Sequence, residues 1–385
     1  MLASYKGNIK EPMDFSNKLT IILTIAGRED FTQRWLSYMN HHTCPYKIII
    51  GDSGNDPFFD NTENINKYFP NLSCSYHRFN PSALDKLESK NSEGAIEPLV
   101  FYFQHKLATL LNFVETDYVT LHDTDNLYAL DHFKKYIEFL DSDQSYVGVR
   151  GRADRFWLYS GMNIAPENRS YGKKWIAFRT QNYSIDQDKS MDRLEYLLSN
   201  VDKKSVLINW YSIFRTNSLQ QTFNSLNSVD PIDVFASEVM ALSFLLNLGK
   251  IKVYDEIYFL QQHGTTSSLE SLRESFNIPL RRMILQNRWD GLNNFITLLR
   301  LKDNDRKSFL ISFSKMLETQ VIVVHNALKS WKKLFKKLST KFPAVYFLIY
   351  KFYYYIDLYI FKKKFIRPKQ LIFLKKMYDN KSSFL

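Results

Sequence analysis

A chain of 385 residues with 45% hydrophobic and 16% aromatic content, and only 12 glycines and 11 prolines, can bury a large core, which excludes disordered, fibrous and low-complexity classes. Its formal charge of +11 is uneven: Lys329 to Lys376 holds 14 basic residues against Asp357 alone, or +13, leaving the rest of the chain near −2. Two cysteines, Cys44 and Cys74, stand at no metal-ligand spacing and read as reduced thiols of a cytosolic protein.

The opening stretch MLASYKGNIKEPMDFSNK has no apolar h-region, so no secretory signal is expected. KLTIILTIA (18–26) is a β-branched run followed by GRED and the helical pattern FTQRWLSYMNHH, which predicts strand, loop and helix. YKIIIGDSGND (46–56) repeats the pattern, an apolar strand ending in Gly51, Asp52, Ser53 and Gly54. Both read as buried parallel strands, whose carboxyl ends form the binding crevice of an open α/β sheet. A polar stretch without clear periodicity follows.

EPLVFYFQHKLATLLNFV (97–114) has helical spacing, and DYVTLHDTDN is a strand stopping at two aspartates, Asp123 and Asp125. SYVGVRGRADRFWLYSG and KKSVLINWYSIFRT are further strand candidates, separated by a polar insertion from about residue 160 to 204. DPIDVFASEVMALSFLLNLGK predicts a helix ended by Gly249, and IKVYDEIYFLQQHGTTSS a strand running into a polar loop. Beyond residue 270 the pattern is helical, then basic and aromatic. This divides the chain into an α/β domain, 1–270, and a helical extension, 271–385.

Two carboxylates one residue apart at a strand end can reach a single hard cation, and oxygen donors suit Mg²⁺ or Mn²⁺. Without a cation their repulsion holds a proton on one of them. Taken alone, Asp-x-Asp after a strand is more commonly a turn or a helix cap than a cation site.

The order and spacing of five stretches over residues 18–270 resemble the family 2 glycosyltransferases of GT-A fold, a Rossmann-like open mixed sheet flanked by helices. The likeness is strongest to the bacterial branch whose first strand reads like TIILTIAGREDFTQRWLSYM. It implies donor-nucleotide contacts from Thr24 and Arg28, although the family's usual Pro-Thr-Tyr-Asn wording is missing there. It implies a nucleobase contact from Asp52, and metal and ribose-diphosphate binding by Asp123 and Asp125. Glu238 stands eleven residues before Gly249, where the family carries the second member of its Glu-Asp pair. The pair here reads Ser237-Glu238, which keeps the carboxylate that an inverting transferase uses as base. His263, in the His-Gly loop after the last core strand, is implied as a third metal ligand or diphosphate contact. Arg152, Trp210 and Tyr211 are candidates for the acceptor side, with core packing the default for the aromatics. Alternation points His122 into packing.

In LKSWKKLFKKLSTKF, Leu328, Trp331, Leu334, Phe335 and Leu338 share one helical face with lysines between them, as on a helix lying on an anionic bilayer. The tyrosine-rich YKFYYYIDLYIFKKKF continues the theme. Packing of these aromatics on the α/β domain or on a second copy of the chain is the rival reading. No nucleic-acid motif accompanies the charge, so nucleic acid is not expected as a partner.

The expectation is thus a Mn²⁺- or Mg²⁺-dependent enzyme of surface-polysaccharide synthesis, peripheral on the inner face of the cytoplasmic membrane. It would move sugar from a nucleotide donor to a glycan or lipid-linked acceptor. A nucleotidyltransferase is the alternative, though TIAGREDF lacks the glycine-rich basic loop such enzymes show, and a non-catalytic sugar-binding module is another.

Overall fold

The computed structural model describes residues 15–54, 57–59, 62–79, 96–159, 174–178, 180, 182–201, 206–229, 234–262 and 290–329. The β-branched run Leu19–Ile25 forms β1, buried at every position but Thr24, as befits a strand covered on both faces. It leads into α1 (Glu29–His41), whose Glu29 and Asp30 complement the positive helix start. β2 (Lys47–Asp52) lies parallel to β1 with Ile25 beside Asp52. After α2 (Thr62–Tyr68), β3 (Ser73–Arg78) adds to β2, also parallel, at the sheet edge. α3 (Ile96–Leu111) crosses to β4 (Tyr118–His122), parallel to β1 on its other side.

The second half is mixed. β5 (Asn126–Tyr128), α4 (Phe133–Ser142), the long β6 (Tyr146–Tyr159) and β7 (Lys174–Phe178) follow in turn. Next come α5 (Ser190–Asn200), a 3₁₀ turn at Val206–Tyr211, β8 (Ile213–Arg215), α6 (Thr216–Leu226) and α7 (Val234–Leu248). β9 (Lys250–Gln262), α8 (Asp290–Leu298) and α9 (Asp303–Lys329) complete the described chain. The nine-stranded sheet runs β3-β2-β1-β4-β8-β6-β9-β5, with β7 paired to β6 off this path. β8 is antiparallel to β4 and β6, β9 parallel to β6, and β5 antiparallel to β9. This is the expected α/β class: an open mixed sheet flanked by helices.

Strand alternation divides the core into two layers. Ile21, Leu23, Ile48 and Ile50 pack with Trp35 and Met39 of α1 and with Phe133 of α4. Ile22, Ile49 and Val119 point the other way, into a layer with Leu107 and Leu110 of α3 and Leu242 of α7. Phe295 of α8 and Phe309 and Phe313 of α9 join that second layer, so the core continues past residue 270.

The polar stretch after residue 56 contains α2 and β3. As an edge strand, β3 is only half-buried along most of its length and carries no apolar run. KKSVLINWYSIFRT is a strand over three residues only. Within it Asn209 accepts a bond from Arg150 Nε at 2.8 Å through its side chain, and its carbonyl accepts from Ser212, which curls the backbone. Part of the insertion from 160 to 204 folds as β7 and α5.

Among the described residues no helix is long and apolar enough to cross a membrane. The basic, aromatic segment from residue 330 onward lies outside the described residues.

Candidate functional site

β4 delivers Asp123 to the carboxyl edge of the parallel half-sheet, and the chain turns at once. The Asn126 amide donates to the Asp123 carbonyl at 3.3 Å, after which β5 pairs with the end of β9. The aspartate turn is therefore held on both sides by sheet. The Gln262 amide, at the end of β9, donates to the Asp125 carbonyl at 3.3 Å. His263 itself lies outside the described residues.

Asp125 is buried and its Oδ2 accepts from the Arg28 guanidinium, Nη2 at 3.4 Å and Nη1 at 3.5 Å. Arg28 precedes α1 in the left-handed conformation, φ 60° and ψ 47°, unusual for a residue with a side chain. Its guanidinium lies over the Phe31 ring, 4.2 Å from the centroid. Beneath it the buried Arg34 donates to Gln262 Oε1 at 2.6 Å and to the Thr124 carbonyl at 3.4 Å. Arg34 thereby fastens the aspartate turn to the end of β9.

Asp123 is half-buried, and its Oδ2 accepts a hydrogen bond from the Tyr211 hydroxyl. Burial, then the neighbouring Asp125 charge, pushes the Asp123 carboxyl up to about 6, while Tyr211 and Arg28 oppose the rise. The Tyr211 phenol is itself raised, first by burial and then by Asp123, with Glu238 among the contributing charges. Glu238, half-buried on α7, thus lies within electrostatic reach of the hydroxyl that holds Asp123. Arg28, Asp125, Asp123 and Tyr211 form one cluster across 183 residues of chain, and the charge of Glu238 reaches Tyr211 from α7.

Asp52 ends β2 deep in the same edge, buried to 1% exposure. One carboxylate oxygen accepts from the Gly54 amide at 2.8 Å and pairs with Arg78 Nη1 at 3.1 Å. The other accepts from the Phe58 amide at 2.9 Å and from the Tyr76 hydroxyl at 2.5 Å. Asp52 therefore organises the loop after β2. Thr24 lies beside Gly51 in the β1–β2 register.

The remaining candidates stand elsewhere. Arg152 pairs with Asp154 at 2.9 Å and with Asp255 at 2.9 Å, a local ion network on β6 and β9. Trp210 is buried in the core against Phe223, centroids 5.5 Å apart, whereas its neighbour Tyr211 faces the aspartates. His122 is sealed in the core, stacked on Tyr128 and edge-on to Trp35, and neither ring nitrogen has a partner. Burial drops its imidazole well below the ordinary histidine range.

Sequence reasoning missed Arg34, Tyr76, Arg78 and Lys106. The one signal for Lys106 was its spacing, four residues before Leu110 on α3, which is also the spacing of an ordinary helix lysine. Its amine is buried at the ends of β1 and β2, donating to the Ile25 carbonyl at 3.0 Å and to Ser53 Oγ at 2.9 Å.

Two crowded carboxylates, one carrying a raised proton affinity, fit a hard divalent cation. Among the described residues no group of three or more His, Cys, Asp or Glu side chains is placed to hold a metal.

No protein-family model matches the chain, and no curated protein does. Several solved structures are similar. A crystal structure of S. aureus TarS 1-349 has a TM-score of 0.46 at 15% identity, covering 81% of this chain and 75% of that one. The same protein in complex with UDP-GlcNAc has a TM-score of 0.45 at 13% identity, covering 81% and 76%. Glucosyl-3-phosphoglycerate synthase from Mycobacterium tuberculosis in complex with phosphoglyceric acid has a TM-score of 0.36 at 12% identity, covering 69% and 80%.

Proposed function

We propose that this protein is a glycosyltransferase of family 2-like, GT-A type. It would transfer a sugar from a nucleotide-activated donor to a hydroxyl of a glycan or lipid-linked acceptor, in bacterial surface-polysaccharide synthesis. The observation that supports the reading is the pair Asp123 and Asp125 at the carboxyl edge of the parallel strands β1, β2 and β4, with Tyr211 bonded to Asp123 and the charge of Glu238 within reach of Tyr211. Open α/β sheets bind their ligands at that edge.

In this reading the loops after β1 and β2, carrying Thr24, Arg28 and Asp52, receive the nucleotide. Asp123 and Asp125, with His263 as a proposed further ligand, hold Mn²⁺ or Mg²⁺. A cation bound there supplies positive charge against the charge that builds on the leaving diphosphate. Tyr211 fixes the Asp123 carboxylate through its hydroxyl. Glu238 takes the proton of the acceptor hydroxyl as that oxygen bonds to the anomeric carbon and the carbon–diphosphate bond breaks. A single displacement of this kind inverts the anomeric centre. The basic, aromatic segment from Lys329 onward is proposed to rest on an anionic membrane surface, or to join a second copy of the chain.

A thermal-shift series with nucleoside diphosphates and nucleotide sugars, with and without Mn²⁺, tests the reading. A ligand selective for the folded state raises Tm by mass action. The expected result is a cation-dependent rise with one nucleotide family, together with slow donor hydrolysis that Glu238→Gln abolishes. No shift with any nucleotide would overturn the assignment.

A further inference from the structure

Lys106 stands at the strand-end crevice, and the proposed transfer does not use its chemistry. It rises from α3 beneath the crevice and is 3% exposed. A lysine ammonium is costly to bury, and this one has no carboxylate within bonding distance among its described contacts. It donates to two atoms instead, the last carbonyl of β1 (Ile25, 3.0 Å) and the hydroxyl of the first residue past β2 (Ser53, 2.9 Å). Those two atoms are themselves joined: the Ser53 amide donates to the Ile25 carbonyl at 2.9 Å and the Ser53 hydroxyl does so at 3.3 Å. The Ile25 oxygen thus gathers three donors, and the amine closes a small ring across the ends of two neighbouring strands.

The surroundings are shaped for that amine. Phe79 lies 5.8 Å from it, on the segment whose amide bonds the Asp52 carbonyl at 2.7 Å. Gly51 stands directly over the lysine stem. A Cβ there would meet Leu110 Cδ1 at 2.5 Å and Lys106 Cε at 3.2 Å, so a larger residue at 51 would drive the stem away. The charged groups that face the amine are Asp52 from β2 and Arg78 from the end of β3, and they act in opposite senses.

We propose that Lys106 is a positioning residue: its buried amine ties the carboxyl ends of β1 and β2 together and fixes the spacing of the two loops that receive the nucleotide. The identity of the ligand rests on the glycosyltransferase reading, whereas the tie does not. Burial lowers the amine to about 7, so the charged form and its stronger, charge-assisted bonds fade across neutral pH.

Native-state amide exchange on the ligand-free protein tests the tie, read at Ser53 and at Gly27 and Arg28. In Lys106→Met, which keeps the stem and loses the donors, the Ser53 protection factor is expected to fall about tenfold while the β6–β9 amides stay unchanged. Ser53→Ala, which keeps the lysine, is expected to loosen Gly27 and Arg28 in the same way. In the wild type the Ser53 protection factor falls as pH rises from 6 to 8, and in Lys106→Met it is flat. Because the folded value lies below that of a free lysine, the charged amine lowers stability under pH 7. Tm of Lys106→Met at pH 6 is therefore expected to equal or exceed the wild type, a result opposite to that of a merely structural residue.

Unchanged protection in both variants, or a pH-independent wild type, overturns the tie. Titration with UDP and GDP in the presence of Mn²⁺ then tests its consequence, an expected roughly tenfold weaker affinity in Lys106→Met. Equal affinity with loosened loops overturns the positioning role. Absence of any nucleotide binding by the wild type sinks the glycosyltransferase reading and leaves the tie to be judged by exchange alone.

Discussion

Asp52 and Asp123 both end parallel strands at the same edge of the sheet, and the protein treats them in opposite ways. Asp52 is surrounded by two backbone amides, a tyrosine hydroxyl and an arginine, so its charge is fully compensated and stabilises the loop it organises. Asp123 has one tyrosine donor, and the carboxylate of Asp125 stands nearby. The first is built to persist and the second is left in electrostatic tension. Charge held against the interest of folding marks a site whose arrangement serves something other than stability.

The contrast is breakable at several points. The largest effect is expected on the unsettled side, at its reactive partner: Glu238→Gln should lower turnover about 10²–10⁴-fold without moving Tm, measured as nucleoside diphosphate released from the preferred donor. A variant retaining full activity would remove the base from the proposed chemistry. On the settled side, Asp52→Asn should destabilise the protein by about 2–4 kcal/mol in urea unfolding, because Arg78 and two amides lose a charged acceptor.

Asp123→Asn should do the reverse. The folded carboxyl, near 6, lies above its ordinary 3.8, so the folded state binds the extra proton between those values. Ionised Asp123 therefore costs stability above pH 6, and the cost fades as pH falls toward 4. The neutral variant should be more stable by about 1–3 kcal/mol at pH 7.5, with the gain vanishing by pH 4, as followed by thermal melts. Stabilisation of equal size at both pH values would show that the tension is not electrostatic.

The smallest effect is expected just upstream. His122 is buried with both nitrogens unpartnered and a lowered proton affinity, so protonation favours the unfolded chain as pH drops below 6.5. His122→Phe should gain about 1 kcal/mol near pH 7.5 and more at pH 5, the opposite pH trend to Asp123→Asn.

How much of this was legible follows from where burial comes from. β1, β2 and β4 declared themselves because strands buried on both faces need unbroken apolar runs, and α7 because Gly249 stops it. The aspartate turn stood out through its place in the order of strands and helices, since two acids at a strand end are by themselves an ordinary turn or cap. Lys106 looked like any lysine on an amphipathic helix, since its burial is imposed by strands lying more than fifty residues upstream. The saturation of Asp52 was hidden for a related reason: Tyr76 and Arg78 lie on an edge strand with no apolar signature. Tyr211 read as an acceptor-side candidate beside Trp210, with core packing the default, and its bond to Asp123 was hidden because the curl around Asn209 has no apolar signature.

The left-handed arginine before α1 has a consequence for assembly. A glycine would take that backbone shape with less strain, so what the turn gains from residue 28 is a tethered cation beside Asp125. A small part of the repulsion in the acidic turn is thereby met by the polypeptide itself, and the rest stays on Asp123. The acidic turn therefore folds beside a cation that the chain itself carries, in contrast to small domains that collapse only around their ion.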